Sequence, residues 1–198
     1  MREKRRIIVG VTGASGVIMA YHLVKALKAH PDVESHLIIT ETARLTWGLE
    51  ADKPLEALLR QADVLHDEGN LAASIASGSF YTEGMIIIPC SMKTLAGIVS
   101  GYSENLLLRA ADVCLKENRK LILVPRESPL GKVHLRNLSQ AADLGCVIAP
   151  PMLTFYGAAQ TIDDQIQHLT GKILMQFKLP HAPFQEWKGV SLNSKRAD

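Results

Sequence analysis

The stretch RRIIVGVTGASGVIMAYHLVKAL, residues 5–27, decides the fold. An apolar run, 7–11, stops at Thr12. Small residues follow at Gly13, Ala14, Ser15 and Gly16, and then a pattern that places Val17, Ala20 or Tyr21, Val24 and Leu27 on one helical face. A short continuous apolar run is the signature of a strand buried on both sides, and a 3.6-residue period is that of an amphipathic helix. The segment therefore predicts strand, tight turn and helix.

Similar runs recur at 35–39, 85–88, 121–124 and 146–149, each followed by turn residues and helical periodicity. Helices are predicted over 42–49 and 55–62, separated by Pro54, and over 103–117 and 133–144. A last helix is predicted from a cap at Thr161, with Asp164 completing a capping box, to Phe177. Strands alternating with helices predict an α/β fold, a Rossmann-like (flavodoxin-like) three-layer sandwich with a parallel sheet. The 198 residues are expected to form one domain, 1–198, with a polar C-terminal arm from about 180.

In such sheets ligands bind beyond the carboxyl ends of the strands. There the sequence places residues 12–16, Thr40, 89–94, 125–127 and 150–156, rich in hydroxyls and small side chains. In the first turn Gly13 and Gly16 allow close backbone approach, and the start of the following helix suits a phosphate. Val11 and Ala14 break the GxGxxG pattern, and no P-loop lysine follows. The alternative is an ordinary strand-to-helix turn with Ser15 as N-cap. In IPCSMKT, residues 88–94, Ser91 and Thr94 offer a second turn of the same kind, with Lys93 adding charge. Cys90 reads as a buried packing residue. Arg126 and Glu127 stand just past a buried strand, a better place for function than a helix face. Arg109, Asp112 and Lys116 share one helix face within ion-pairing distance.

Composition narrows the classes. A net charge of +2 with a pI near 8.4 argues against a nucleic-acid binder. Three widely spaced cysteines form neither a disulfide framework nor a CxxC pattern, and seven histidines show no metal-binding spacing, so no metal is expected. No apolar stretch is long enough to span a membrane, and the N-terminus lacks a signal-peptide core, which together predict a cytoplasmic protein.

Seven pieces, in order, resemble the UbiX family of flavin prenyltransferases, once described as phenylacrylic or aromatic acid decarboxylases. They are GVTGASG (10–16), SIASGSF (74–80), PCSMKTLAGI (89–98), RAADVCLKE (109–117), LVPRESPL (123–130), HLRNL (134–138) and PPMLTFY (150–156). The resemblance implies a homododecamer that joins a dimethylallyl group from dimethylallyl phosphate to reduced FMN, with bonds at flavin N5 and C6. The prenylated FMN would serve a UbiD-type decarboxylase.

Carried over by motif, Gly13, Ala14 and Ser15 match the FMN-binding turn, Thr40 a hydroxyl position after the second strand, and Ser91, Met92, Lys93 and Thr94 a further flavin contact. Arg126 matches a flavin-phosphate or prenyl-phosphate contact. Tyr156, Lys172 and Lys116 match ligands of the prenyl phosphate, Glu50 the carboxylate near flavin N5, and Glu127 the acid at the leaving phosphate. Ser15, Glu50, Lys116 and Glu127 are thus the implied catalytic residues. Met19 and Ala20 replace the family's aromatic-glycine pair, and Lys172 stands where arginine is usual. Two other readings are a flavin-carrying subunit without catalysis and a cysteine-type decarboxylase. The latter group's catalytic histidine and PASANT-like motif are missing here.

Overall fold

In a computed structural model, residues 4–155, 159–184, 186, 187 and 189 are described. Six parallel strands form one sheet: β1 (Arg5–Val11), β2 (Val33–Ile39), β3 (Val64–His66), β4 (Gly84–Cys90), β5 (Lys120–Pro125) and β6 (Val147–Ile148). Their spatial order is β3-β2-β1-β4-β5-β6. The order reverses between β1 and β4, the switch point where a doubly wound sheet opens a crevice.

The two central strands explain the apolar runs. Every residue of β4 is buried, as are the last five of β1. One face of the sheet packs Ile8, Ile38, Met85, Ile87, Leu121 and Leu123 against the helices α4 (Met92–Ser100), α5 (Leu106–Lys116) and α6 (Lys132–Asp143). The helix α1 (Ile18–Lys28) packs on β1, β2 and β4 and on the short helix α3 (Leu55–Leu59). Helix α2 (Glu41–Glu50) follows β2 directly.

The expected strands are all present, and β3 is added. Its three residues are half-exposed and carry no apolar run, so periodicity does not reveal it. The helix expected from residue 103 begins at Leu106, because Asn105 Oδ1 accepts the Leu108 N–H at 3.0 Å and caps it there. The residues divide into two compact units, Met1–Met152 and Leu153–Asp198. In the second, α7 (Ile162–Gln176) starts on the expected capping box: Thr161 Oγ1 accepts from Asp164 N–H at 3.1 Å and Asp164 Oδ2 accepts from Thr161 N–H at 2.9 Å. None of the described helices is long and apolar enough to cross a membrane.

Candidate active site

Thr12 joins the two strands at the switch point. Its buried hydroxyl donates to the Pro89 carbonyl at 2.8 Å and accepts from Ser91 N–H at 2.8 Å. The turns after β1 and β4 are thereby locked side by side. Gly13 presses against α2: an added Cβ would lie 2.7 Å from Thr42 Cβ and 3.1 Å from its backbone carbon. Only a residue without a side chain allows that approach. Gly16 has φ +93, the left-handed region that glycine reaches at little cost. Its N–H donates to Glu50 Oε2 at 2.7 Å, so the end of α2 reaches back over the first turn.

Ser15 is not the N-cap. Helix α1 begins later, at Ile18, with Val17 as its cap residue, no side-chain cap bond and no acidic residue in its first turn. No residue of α1 itself offsets the positive end of the helix, and the carboxylate beside it, Glu50, comes from α2, so its remaining N–H groups suit a bound anion. The turn after β4 is built differently. Ser91 Oγ accepts from Thr94 N–H at 3.3 Å and lies 3.0 Å from Thr94 Oγ1, so both hydroxyls are engaged in capping α4. Thr40 caps α2 in the same way, accepting from Ala43 N–H at 3.1 Å. Ala14, Ser15, Ser91 and Met92 are half-buried along this edge, and Lys93 is exposed.

Arg126 follows β5 at the same edge, its N–H bonded to the Cys90 carbonyl at 3.2 Å, which sets it beside the β4 turn. Its side chain and that of Glu127 are exposed. Glu127 Oε1 accepts from Ser128 N–H at 2.9 Å. The first unit therefore brings together Gly13, Ala14, Ser15, Thr40, Glu50, Ser91, Met92, Lys93, Thr94, Arg126 and Glu127 at the carboxyl edge.

Lys116 is not among them. It ends α5 at the opposite edge of the sheet, where β4 and β5 begin. Its Nζ pairs with Glu117 Oε1 at 2.7 Å and would lie 3.0 Å from a Cβ added at Gly78. Arg109 makes the expected bridge to Asp112 at 2.7 Å, whereas Lys116 takes Glu117 and not Asp112. In the second unit Lys172 is exposed on α7, its Nζ 5.8 Å from the centre of the Phe184 ring. Tyr156 lies outside the described residues.

All three cysteines are free and buried. Burial, with Cys146 nearby, pushes the Cys90 thiol far above its ordinary value. Burial likewise raises Cys114 to about 12 and Cys146 to about 11. A thiol that stays protonated is no nucleophile, which is the packing reading of Cys90. Among the described residues no group of three histidine, cysteine or carboxylate side chains is placed to hold a metal.

Sequence reasoning missed Thr42, which abuts Gly13, and Thr46, whose hydroxyl donates to the Thr42 carbonyl at 3.0 Å and approaches that of Gly13 at 3.4 Å. No local pattern marks them, since the contact joins segments about thirty positions apart.

The profile of the Flavoprotein family matches residues 1–174. A probable UbiX-like flavin prenyltransferase from Sedimentibacter hydroxybenzoicus is 60% identical over 185 residues, 93% of this chain and 98% of its own. The crystal structure of a dodecameric FMN-dependent UbiX-like decarboxylase from Escherichia coli O157:H7 superposes with a TM-score of 0.91 at 46% identity, over 93% of this chain and all of that one. AnUbiX (PadA1), solved in complex with FMN and dimethylallyl pyrophosphate, superposes with a TM-score of 0.92 at 42% identity, over 96% of this chain and all of that one. The chain belongs to the flavoprotein family and, within it, to the UbiX family of flavin prenyltransferases.

Proposed function

We propose that this protein is a flavin prenyltransferase that joins the dimethylallyl group of a dimethylallyl phosphate to reduced FMN. The observation that carries the reading is the turn after β1. Its helix has no side-chain cap, Gly13 is pressed onto Thr42, and Thr12 ties it to the β4 turn, within a chain 60% identical to a probable UbiX-like flavin prenyltransferase. The start of a helix without a side-chain cap would suit a flavin phosphate. Gly13, Ala14 and Ser15 would hold it with backbone N–H groups and a hydroxyl. Thr40, Ser91, Met92, Lys93 and Thr94 would line its other side. Reduced FMN supplies the electron-rich ring that accepts the prenyl group.

The chain's own work is at the phosphate that leaves. A departing phosphate gathers negative charge, which cations and a proton donor offset. Arg126 supplies a charge at the end of β5, and Glu127 beside it supplies the proton. Lys172 and Tyr156 would bind the donor's phosphate, the role that the family resemblance implies for their positions. Lys116 sits at the far edge of its own sheet and reaches a carboxyl edge only from a second copy. That supports a homododecamer like the Escherichia coli relative, with sites shared between copies. We read residues 1–198 as one flavoprotein domain, since the family match runs to residue 174 through both compact units. The product would pass to a UbiD-type decarboxylase, and three free cysteines suit the reducing cytoplasm.

The test is incubation with reduced FMN and either dimethylallyl phosphate or the pyrophosphate, in the presence of a chelator, followed by product mass. A flavin heavier by one prenyl group is the expected result. Tight FMN binding with no mass change would make the protein a flavin-carrying subunit instead. Shared sites have their own check. Mixing Glu127→Gln with Lys116→Ala subunits should restore turnover that neither variant shows alone.

A further inference from the structure

Strand β3 is an outer strand of the sheet and has only three residues, paired as His36↔Val64, Leu37↔Leu65 and Ile38↔His66. A ladder that short needs side-chain support. At its start Asp63 Oδ2 accepts from both the N–H and the hydroxyl of Ser35, each at 2.8 Å. Burial works to raise the Asp63 carboxyl, but the Ser35 bonds, with Lys4 and Lys28 nearby, outweigh it and hold its pKa below the ordinary value. That pin stays charged at neutral and mildly acid pH.

The pin at the other end is of a different kind. His66 Nε2 meets His36 Nδ1 at 2.9 Å, and His36 Nε2 meets Glu34 Oε1 at 2.9 Å. The two rings are nearly parallel, at 17°. His36 is buried, at 3% exposure, so it has little water to replace a lost partner. Arg6 Nε lies 3.4 Å from the same Glu34 oxygen.

Past His66 the chain carries Glu68, which holds two helix starts. Its carboxylate accepts from Glu41 N–H at 2.7 Å, the first residue of α2, and its carbonyl accepts from Leu106 N–H at 2.8 Å, the first of α5. Helix α2 is the wall of the flavin turn. It is capped by Thr40, presses Thr42 on Gly13 and ends with Glu50 on Gly16.

We propose that the His36–His66 pair, acting through β3 and Glu68, positions α2 at the flavin site, and that a second proton on the pair releases it, so that the grip on flavin weakens in acid. The inference rests on the flavin-site reading above for its consequence, though not for the latch itself. Proton accounting gives the mechanism. With Glu34 accepting from His36 Nε2–H, a neutral His36 keeps a lone pair on Nδ1 and accepts from His66 Nε2–H. One added proton makes an imidazolium, and the N–H···N bond survives. Two put a hydrogen on both facing nitrogens and push the rings apart.

The charged groups facing the pair are Glu34 and Arg6 on the His36 side. On the His66 side are Glu41, Arg44, Asp67 and Glu68, which line a cleft of about 520 Å³ with it. The opposite charge of the carboxylates does not restore the N–H···N bond that a second proton breaks. Burial, and then the charge of His36, hold His66 below its ordinary value. A histidine lowered in the folded state binds more protons once released. Its stabilisation is therefore full above about pH 6.5 and is lost as pH falls from there through the folded value.

The experiment follows hydrogen exchange of residues 64–68 and FMN affinity between pH 7.5 and 5 in the full chain and in His66→Gln, whose amide donates to His36 Nδ1 but does not titrate. In the wild type the protection of β3 amides, taken as exchange relative to the intrinsic rate at each pH, should fall in acid, and FMN affinity should fall by up to about tenfold per pH unit, the limit for one linked proton. The variant should show protection independent of pH and a shallower affinity curve, because titration of the flavin's own phosphate is common to both. Parallel curves, or wild-type protection that ignores pH, overturn the latch. If His66→Gln fails to fold, ring-proton titration of the wild type decides. Two separated steps, the second well below 6.5, support the latch, and two ordinary titrations reject it. Absence of FMN binding at every pH would sink the proposed function while the exchange measurement still judged the latch.

Discussion

The turns after β1 and β4 look alike in sequence, each a small-residue break with hydroxyls before a helix. They are built for different work. After β4, Ser91 and Thr94 cap α4 with their own side chains. After β1, no side chain caps α1, and the nearest carboxylate, Glu50, comes from another helix to take the Gly16 N–H. A self-capped turn has its polar groups satisfied internally. An uncapped one keeps a helix dipole available, and a ligand can use it. The hydroxyl that holds the two together, Thr12, is buried between them.

The largest effect should come from the borrowed carboxylate. Glu50→Gln leaves an oxygen for the Gly16 N–H and removes the charge and the exchangeable proton. If Glu50 moves protons at the flavin, single-turnover prenyl transfer should slow by about 10²–10⁴-fold with the fold unchanged, the usual scale for one acid or base. Wild-type turnover would reduce Glu50 to a plain cap and erase the distinction between the turns.

Next in size is the close approach at Gly13. Gly13→Val puts two methyl groups beyond a Cβ that already stands 2.7 Å from Thr42. Overpacking of this kind costs about 1–3 kcal/mol, to be read by denaturant titration, and FMN affinity should fall with it. Unchanged values for both would mean that the turn can shift away from α2 freely.

Smaller again is the cap itself. Ser91→Ala removes the acceptor of Thr94 N–H and should lower stability by about 1 kcal/mol. Ser15→Ala should change stability by less than about 0.5 kcal/mol, since Ser15 caps nothing, yet should weaken FMN binding measurably. The opposite ranking, with Ser15 the more stabilising of the two, would return Ser15 to the role of N-cap and leave the first turn an ordinary one.

Much of the architecture was legible because its signals are local. The runs at 7–11 and 85–88 are buried on both faces, and a strand in that position has to be apolar throughout. The box joins Thr161 and Asp164, three residues apart, and forms as read. Edge strand β3 escaped because three half-exposed residues ending in histidine carry neither period.

The turn positions at the carboxyl edge also follow from sequence, since every parallel strand must end there. What each residue does at that edge was decided by tertiary structure. Thr12 and Ser91 are 79 positions apart, and Gly16 and Glu50 are 34 apart. They meet only because the order β3-β2-β1-β4-β5-β6 sets β1 between β2 and β4. The same topology sends Lys116 away. A helix that returns from the carboxyl edge to start the next strand ends at the opposite edge, so a lysine in its last turn leaves the site of its own chain. Composition and spacing determined that this chain is a parallel α/β protein with a ligand edge. The long-range contacts imposed by strand order determined which turn is open, which carboxylate covers it and which lysine lies at the opposite edge.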